Sequence, residues 1–197
     1  MNVKKRLIDF VREKNSKKSL FTAGPASLAA ENLLGLGPCF GRNDLEYLKV
    51  ERKVLNKLKN ISGHKKIVYM QGSGSLALEA VSLNFLYGKV LIISTGYYSD
   101  RLFSLCIKAQ RNLKKIVQVS KINWNDLEDF SGKYDWVWAC TTETSCGLKI
   151  PIPELRKFSK KIKAKLALDA TASIGLESFH ELGDVISYSS CKGLFGL

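Results

Sequence analysis

The sequence has few of the residues that build metal and disulfide sites. It contains two histidines and five cysteines, and no cysteine pair has the Cys-x-x-Cys spacing. A zinc site of cysteine and histidine therefore has little material, and an odd number of thiols does not complete a disulfide framework. We expect no metal site, and the cysteine usage favours a reduced, cytoplasmic setting.

Long apolar runs are also missing. No run approaches the roughly 20 residues that a membrane-spanning helix needs. Residues 1–18 are charged throughout and lack the apolar centre of a secretory signal. We therefore predict no membrane contact. With 197 residues, 45% of them hydrophobic, the chain is long enough to bury one sizeable core.

Acidic residues are scarce relative to basic ones. Asp and Glu number 18 against 31 Lys and Arg, which gives a net charge of +13. Such an excess suits a nucleic acid, an acidic surface or an anionic substrate. The lysines are scattered along the chain, however, and no basic motif interleaved with aromatic residues of the RNA-recognition type is present. This distribution favours a solvated basic surface, and we predict no nucleic-acid partner.

Short apolar runs alternate with helical patterns from residue 67 onward. The predicted strands are 67–70, 90–93, 116–119, 135–140, 166–168 and 185–187. The predicted helices are 3–13, 44–58, 76–81, 102–109, 124–130 and 153–163. This alternation predicts an α/β fold with a mainly parallel, doubly wound sheet and flanking helices.

Polar residues follow several predicted strands, where an α/β sheet binds its ligands. Residues 71–75 form a glycine- and serine-rich turn between a strand and a helix, and the N–H groups and dipole of such a helix start favour an anion. The turn is neither a Walker loop nor a complete dinucleotide motif, and a plain tight turn is the alternative. Tyr97 and Tyr98 follow the next strand, where they either stack on a flat ring or cap the core.

The last two predicted strands end near Asp169 and Lys192. A buried carboxylate and a lysine at neighbouring strand ends suit pyridoxal phosphate chemistry. The lysine forms a Schiff base with the aldehyde, and the carboxylate keeps the pyridine nitrogen protonated so that the ring accepts electrons. On these two residues alone, a common strand-end aspartate and a solvated lysine are the alternative.

Six collinear segments resemble the class V branch of the fold-type I pyridoxal-phosphate enzymes. The similarity is to the aminotransferases that act on alanine and glyoxylate, serine and pyruvate, or 2-aminoethylphosphonate and pyruvate. The segments are LFTAGP at 20–25, GSGSLALEA at 72–80, GYYSDR at 96–101, ETSCG at 143–147, DATASIG at 169–175 and SSCKG at 189–193. The resemblance implies transfer of an amino group from a small amino acid or aminophosphonate to a 2-oxo acid.

The resemblance implies roles for residues along one side of the cofactor. Ser73, Gly74 and Ser75 are expected to bind the phosphate of pyridoxal 5'-phosphate, with help from Ser189. Tyr98 is expected to stack on the pyridine ring.

It also implies the catalytic pair. Asp169 is expected to pair with the pyridine nitrogen, and Lys192 to be the Schiff-base lysine and the base for proton transfer. Ser145, or Cys146 beside it, is expected near the ring hydroxyl. Gly24 is expected to let the substrate approach.

The resemblance further implies a domain organisation. Residues 1–20 are expected to form an N-terminal helix and arm, and residues 21–197 an incomplete large domain that binds the cofactor. Family members continue for well over a hundred residues past the lysine, through a C-terminal small domain that carries the arginine for the substrate carboxylate. We therefore expect an N-terminal part, inactive alone, of a protein that is a homodimer at full length.

Two other interpretations of the sequence stay open. Lyases and desulfurases of the same superfamily usually place a histidine on the ring and another before the lysine, whereas this chain has Tyr98 and Cys191 there. A basic, non-catalytic binding protein would bind its partner with strong salt dependence and no cofactor. Cys146, Cys191 and Ser99 depart from the aminotransferase pattern, and these departures affect the expected substrate more than the cofactor.

Overall fold

The computed structural model describes residues 3–17, 24, 31–32, 40–41 and 43–196. Its helices are α1 (Val3–Ser16), α2 (Leu45–Ser62), α3 (Gly74–Asn84), α4 (Tyr97–Leu113) and α5 (Ile152–Lys161). Its strands are β1 (Gly88–Ser94), β2 (Ile116–Asn123), β3 (Trp136–Cys140), β4 (Thr142–Glu143), β5 (Leu148–Lys149), β6 (Lys165–Asp169) and β7 (Val185–Ser187). Two short 3₁₀ turns lie at Trp124–Asp126 and His180–Leu182.

Five of the strands form one parallel sheet. Their spatial order is β2-β1-β3-β6-β7, and each neighbouring pair is parallel. Asp169 at the end of β6 lies beside Cys140 of β3 on one side and Ser187 of β7 on the other. Strands β4 and β5 form a separate antiparallel hairpin just after β3. The predicted fold class, a mainly parallel sheet with flanking helices, is confirmed.

The central strands are apolar along their whole length because both faces of the sheet are covered. Every residue of β3 is buried. On one face, Trp138 packs in a cluster with α3 and α4 residues such as Leu102. On the other face, Leu166 packs with α5 residues such as Leu155. Two cores on opposite faces hold the strand ends, and hence the polar residues that follow them, in fixed positions.

Helix α2 has the termini that its sequence indicates. The Asp44 carboxylate accepts a hydrogen bond from the N–H of Glu46 at 2.8 Å and caps the N-terminus. Gly63 ends the helix in the left-handed conformation, with φ of +69°. The helix extends to Ser62, beyond the predicted end at residue 58, because Gly63 is the residue that stops it.

The predicted strand 67–70 is wrong. Residues 67–70 belong to no strand, and Val68 and Tyr69 are 81% and 57% exposed. Their apolar character imitates a buried strand, but a strand forms only when a neighbour accepts its hydrogen bonds. In the described part of the chain, residues 67–70 pair with neither edge strand of the sheet, β2 or β7.

Two predicted helices also have different bounds. The predicted helix 124–130 is only a 3₁₀ turn, where the Asn123 side chain accepts a hydrogen bond from the N–H of Asn125 at 3.0 Å. Asn and Asp compete for backbone hydrogen bonds and favour such turns over helix interiors. Helix α4 begins at Tyr97 instead of residue 102. Both tyrosines therefore lie in a helix, whereas the sequence placed them in a loop.

Part of the sequence interpretation lies outside the described residues. Of the opening segment 20–25, the structure describes Gly24 alone, and Cys39 is not described. Among the helices that are described, none has the length and hydropathy needed to cross a bilayer.

Candidate active site

A cavity of about 220 Å³ opens at the carboxyl end of the sheet. Its walls come from the start of α3, the first turns of α4, the ends of β3 and β6, and the segment after β7. The cavity brings together these predicted site residues: Ser73, Gly74, Ser75, Tyr98, Asp169, Ser189 and Lys192. They come from four different segments of the chain, and the parallel topology is what gathers them.

The N-terminus of α3 forms one wall of the cavity. Ser73 is the N-cap residue, but its side chain does not bond to the helix backbone. A Cβ atom at Gly74 would lie 3.3 Å from Ser189 Cβ and 3.5 Å from both Thr171 Cγ2 and Thr171 Oγ1. Glycine thus keeps this wall close to two hydroxyl residues. The first N–H groups of a helix have no acceptor within it, so an anion is the natural ligand here.

Asp169 lies at the floor of the cavity and is 3% exposed. Its Oδ1 accepts hydrogen bonds from the N–H of Thr171 at 3.0 Å and from the Thr171 hydroxyl at 2.5 Å. Burial raises the pKa of Asp169, although the Thr171 hydrogen bonds and the Arg101 charge act against this. The cavity therefore holds a buried carboxylate whose Oδ1 is oriented by Thr171.

A buried chain of hydrogen bonds supports Asp169 from behind. The Thr141 hydroxyl donates to the Asp169 carbonyl at 3.1 Å and lies 2.8 Å from the Ser173 hydroxyl. Ser173 Oγ is in turn 2.8 Å from His180 Nε2. Burial lowers the pKa of His180, which favours the neutral ring. Because these side chains are all buried, they fix the end of β6 and the turn that follows it.

Lys192 and Gly24 lie side by side. Lys192 is half-buried in the cavity wall beyond the end of β7. A Cβ atom at Gly24 would lie 2.6 Å from Lys192 Cδ and 2.8 Å from Lys192 Nζ, and the φ of Gly24 is +106°. The predicted substrate-side glycine therefore contacts the predicted catalytic lysine, in a conformation that other residues rarely adopt.

Tyr98 enters the cavity from the first turn of α4. Its ring is half-buried and meets Tyr97 edge-on, with a centroid distance of 5.3 Å and an interplanar angle of 87°. Tyr97 is 67% exposed. Of the two tyrosines, Tyr98 is thus the one that lines the cavity.

Ser145 and Cys146 are exposed and do not line the cavity. Ser145 Oγ accepts a hydrogen bond from the N–H of Tyr97 at 3.2 Å, and the Cys146 thiol donates to the Thr95 carbonyl at 3.3 Å. Thr144, one residue earlier, lines the cavity instead. The structure thus brings this pair to the α4 N-terminus, beside Tyr97.

Several cavity residues were missed from sequence. Arg101 and Thr171 line the wall beside Asp169, and Thr142 and Thr144 line the β4 side. Arg101 follows Tyr98 by one turn of helix, so a helix start at Tyr97 would have placed both on one face. Thr171 follows a strand-end aspartate by two residues, the spacing of an Asx turn. Both signals were available, but the first depended on the correct helix boundary.

Outside this cavity, the described residues form no metal site, and they line one open groove. They contain no group of three or more His, Cys, Asp or Glu side chains that could hold a metal ion. An open groove runs along α2, and it shares no residue with the cavity. Its lining is basic or amide in character: Lys49, Arg52, Lys53, Asn56, Lys57 and Asn60.

Comparison with known proteins adds independent information. No protein-family model matches the chain. It is 27% identical over 182 residues to an uncharacterized aminotransferase of Methanocaldococcus jannaschii, a match that covers 83% of this chain and 46% of that protein. It is 26% identical over 166 residues to the 2-aminoethylphosphonate–pyruvate transaminase of Pseudomonas aeruginosa, which covers 79% of this chain and 45% of the relative. The chain spans about half the length of the curated relatives it matches.

A solved structure agrees at the level of the fold. An aspartate aminotransferase from Thermus thermophilus superposes with a TM-score of 0.78 at 23% identity, over 90% of this chain and 54% of the other. The parallel sheet and its flanking helices therefore have the same arrangement as in that structure. The chain is thus similar in sequence to aminotransferases over about half of their length, and it has the fold of a solved aminotransferase.

Proposed function

We propose that this chain contributes to a pyridoxal-phosphate-dependent aminotransferase that moves an amino group from a small amino acid or aminophosphonate to a 2-oxo acid. The observation that carries the proposal is the cavity itself. A helix N-terminus that favours an anion, a buried carboxylate and a lysine line one space at the sheet edge. Aminotransferase relatives supply the reaction class.

The residues at the start of α3 fit the phosphate. Ser73, Gly74 and Ser75 would offer backbone N–H groups and hydroxyls, and Ser189 faces them across the gap set by Gly74. A dianion at a helix N-terminus is stabilised by the unsatisfied N–H groups and by the helix dipole. This wall would therefore hold the cofactor by its charged end.

The opposite end of the cavity fits the ring. The Asp169 carboxylate would accept a hydrogen bond from the protonated pyridine nitrogen, a cationic partner that favours the ionised form of a buried carboxylate. Tyr98 would cover one face of the ring. We propose that Ser145, or Cys146, lies near the ring hydroxyl. Neither residue lines the cavity, whereas the neighbouring Thr144 does. When bound, pyridoxal phosphate supplies an electrophilic aldehyde and a ring that withdraws electrons from the substrate α-carbon.

Lys192 would hold the aldehyde end of the cofactor, and its Nζ would carry the proton removed from the substrate α-carbon. Its side chain passes Gly24, and the absence of a side chain at Gly24 leaves room for both the lysine and the substrate. Asp169 and Lys192 would thus act on opposite ends of one flat ring.

The proposal extends to the whole protein. We propose that residues 1–20 form an N-terminal helix and arm and that residues 21–197 belong to the cofactor-binding large domain. We further propose that the full-length protein is a cytoplasmic homodimer. Sedimentation of the full-length protein would show a dimer, and a stable monomer would contradict this part.

Reductive labelling tests the proposal directly. The protein is mixed with pyridoxal phosphate, reduced with borohydride and digested, and the modified peptide is found by mass spectrometry. We expect the label to concentrate on Lys192 and to disappear from that peptide in Lys192→Ala. Lys160→Ala, a change at an exposed α5 lysine, is the matched control and should leave the labelling unchanged.

Label spread over many lysines, and equal in the wild type and Lys192→Ala, would show that this chain builds no site alone. The same labelling would then be repeated on the full-length protein. Diffuse labelling there as well would overturn the proposed function.

A further inference from the structure

Glu143 is a completely buried carboxylate with a dense set of donors. It lies in β4, immediately below the N-terminus of α4. Its Oε2 accepts hydrogen bonds from the N–H of Tyr98 and the N–H of Ser99, both at 3.1 Å, and from the Thr95 hydroxyl at 3.2 Å. Its Oε1 accepts from the Ser145 hydroxyl. Every one of these partners is a donor, so hydrogen bonds satisfy both oxygens of the buried carboxylate.

Burying a carboxylate such as Glu143 costs free energy, so its buried position requires an explanation. A buried charge is tolerated only when hydrogen bonds replace the lost water. Here the negative charge also faces the positive end of the α4 dipole, which adds to its stabilisation. Serine, threonine or asparagine would cap the helix at a lower cost, since these residues carry no charge. The carboxylate therefore does more than end a helix.

The geometry shows what Glu143 fixes. It bonds to the backbone N–H of Tyr98, the residue whose ring lines the cavity, whereas Glu143 itself is not part of the cavity wall. A Cβ atom at Gly96 would lie 3.0 Å from both Glu143 Cγ and Glu143 Cδ and 2.8 Å from Ser145 Oγ. The turn before α4 is thus packed directly onto the carboxylate, and the first turn of α4 has little freedom to shift.

We propose that Glu143 is a positioning residue that holds the Tyr98 ring at the stacking distance from the cofactor by anchoring the first turn of α4. This inference rests on the proposed function, because it needs a flat ring in the cavity. It assigns to Glu143 an action through Tyr98 and no contact with the reacting atoms. A fully satisfied buried network of this kind is rigid, as such a role requires.

A double-mutant cycle separates this role from general stabilisation. Pyridoxal phosphate affinity and the induced circular dichroism of the bound cofactor are measured for the wild type, Glu143→Gln, Tyr98→Ala and the double variant. The amide keeps the size of Glu143 but turns an N–H₂ group toward donors. We expect Glu143→Gln to weaken binding about threefold to tenfold, which is the order of an aromatic stacking contribution, and to change the dichroism band. In the Tyr98→Ala background the same change should cost less than about twofold.

A second readout needs no cofactor. Hydrogen exchange of the amides of Tyr98 and Ser99 should accelerate in Glu143→Gln and stay unchanged in Glu79→Gln. Glu79 is the matched control because it also anchors α4, through an ion pair with Lys108 at 2.8 Å, away from the first turn. Thermal melting of each variant confirms that it folds.

The outcomes are distinct. If the wild type fails to bind pyridoxal phosphate, even at full length, the proposed function falls and this inference falls with it. If the wild type binds and Glu143→Gln costs the same with and without Tyr98, the proposed function stands and the positioning role is overturned. Unchanged exchange at the amides of Tyr98 and Ser99 would overturn it as well.

Discussion

At the scale of single residues, two aspartates have pKa shifts of opposite sign. Burial raises the pKa of Asp169. For Asp184, burial acts in the same direction, but hydrogen bonds from Arg156 at 2.7 Å and from the N–H of Leu166 at 2.8 Å outweigh it and lower the pKa. Ionisation of Asp169 is therefore costly because the carboxylate is buried, whereas ionised Asp184 stabilises the fold.

Asp169→Asn should separate stability from ligand binding. The folded pKa of Asp169 lies above its unfolded value, so the wild type loses stability as the pH rises through the folded pKa. The variant avoids this loss. We expect its melting temperature without cofactor to exceed that of the wild type at pH 7 and to match it near pH 3. Its affinity for pyridoxal phosphate should fall by about 10- to 100-fold, the contribution of a hydrogen bond to a charged group. Melting scans and cofactor titration measure the two effects, and a variant that binds as tightly as the wild type would contradict the assigned role.

Asp184→Asn should have the opposite effect on stability. The lowered pKa of Asp184 means that its contribution is present above the unfolded pKa and is lost as the pH falls through the folded one. We expect a loss of at most about 1 kcal/mol at pH 7, because the ion pair with Arg156 is partly exposed. Urea unfolding at pH 7 and at pH 3 would measure it. Cofactor affinity should not change, and a stability loss that persists at pH 3 would argue against the ionic origin.

Asp169 and Lys192 could be singled out from sequence because each follows an apolar run and belongs to an ordered set of motifs. Glu143 could not, since a carboxylate in a Thr-Glu-Thr-Ser segment has the pattern of a surface turn. Its role depends on the N-terminus of a helix that is distant in sequence. Side-chain function of that kind arises from packing, which local patterns do not encode.

At the scale of elements, three glycines separate two ways in which an added side chain destabilises a turn: through an unfavourable backbone conformation and through a steric contact. Gly63 has φ of +69°, and a Cβ atom there would lie 2.5 Å from Glu181 Cβ. Gly147 has φ of +73°, but its Cβ position is open. Gly41 has neither restriction. Alanine at Gly147 therefore meets only the backbone penalty, and alanine at Gly63 meets both.

We expect Gly63→Ala to be the most destabilising of the three alanine variants. Gly147→Ala should cost about 1–2 kcal/mol, the price of a left-handed conformation for a residue with a Cβ atom. Gly63→Ala should cost more, since α2 or the segment around Glu181 must also move. Gly41→Ala should change the stability by less than about 0.5 kcal/mol. Chemical unfolding of the three variants measures this order, and equal losses at Gly63 and Gly147 would show that the contact with Glu181 relaxes freely.

Element boundaries were predictable where a cap is encoded locally, as at Asp44 and Gly63. They were not predictable where the cap comes from afar. At the start of α4, the distant Glu143 carboxylate accepts from the N–H groups of Tyr98 and Ser99, and the local signal is weaker: Ser99 Oγ accepts from the N–H of Gly96 at 3.0 Å. The apolar run at residues 67–70 failed for a related reason, because strand formation depends on a partner and not on composition alone.

At the scale of the whole molecule, protection should follow the order of the sheet. Strands β1, β3 and β6 are flanked on both sides by strands and covered by helices on both faces, whereas residues 64–72 lie outside the sheet. We expect hydrogen exchange to be slowest in the three inner strands and fast across 64–72. Mass spectrometry of peptic peptides measures it. Strong protection of 64–72 would show that this segment pairs in solution.

The parallel sheet was predictable as a whole because its periodicity repeats over many residues, and errors in single elements did not affect it. The order of the strands could not be predicted in the same way. The chain crosses from β2 at one edge of the sheet to β3 on the other side of β1, and local sequence patterns do not encode that crossover. The cavity follows from that order, because it brings the ends of β3, β6 and β7 next to one another.

The thiols form a natural series of chemical reporters. Cys106 and Cys140 are buried, and burial raises the pKa of Cys106 to about 12, so neither should react with maleimide before the protein unfolds. Cys146 is exposed and should react first. Cys191 lies in the cavity wall with its sulfur 3.2 Å from Ser189 Oγ, so any occupant of the cavity would shield it. In a Cys39→Ser, Cys146→Ser background, the alkylation rate of Cys191 would therefore become an occupancy gauge that leaves Lys192 chemically untouched.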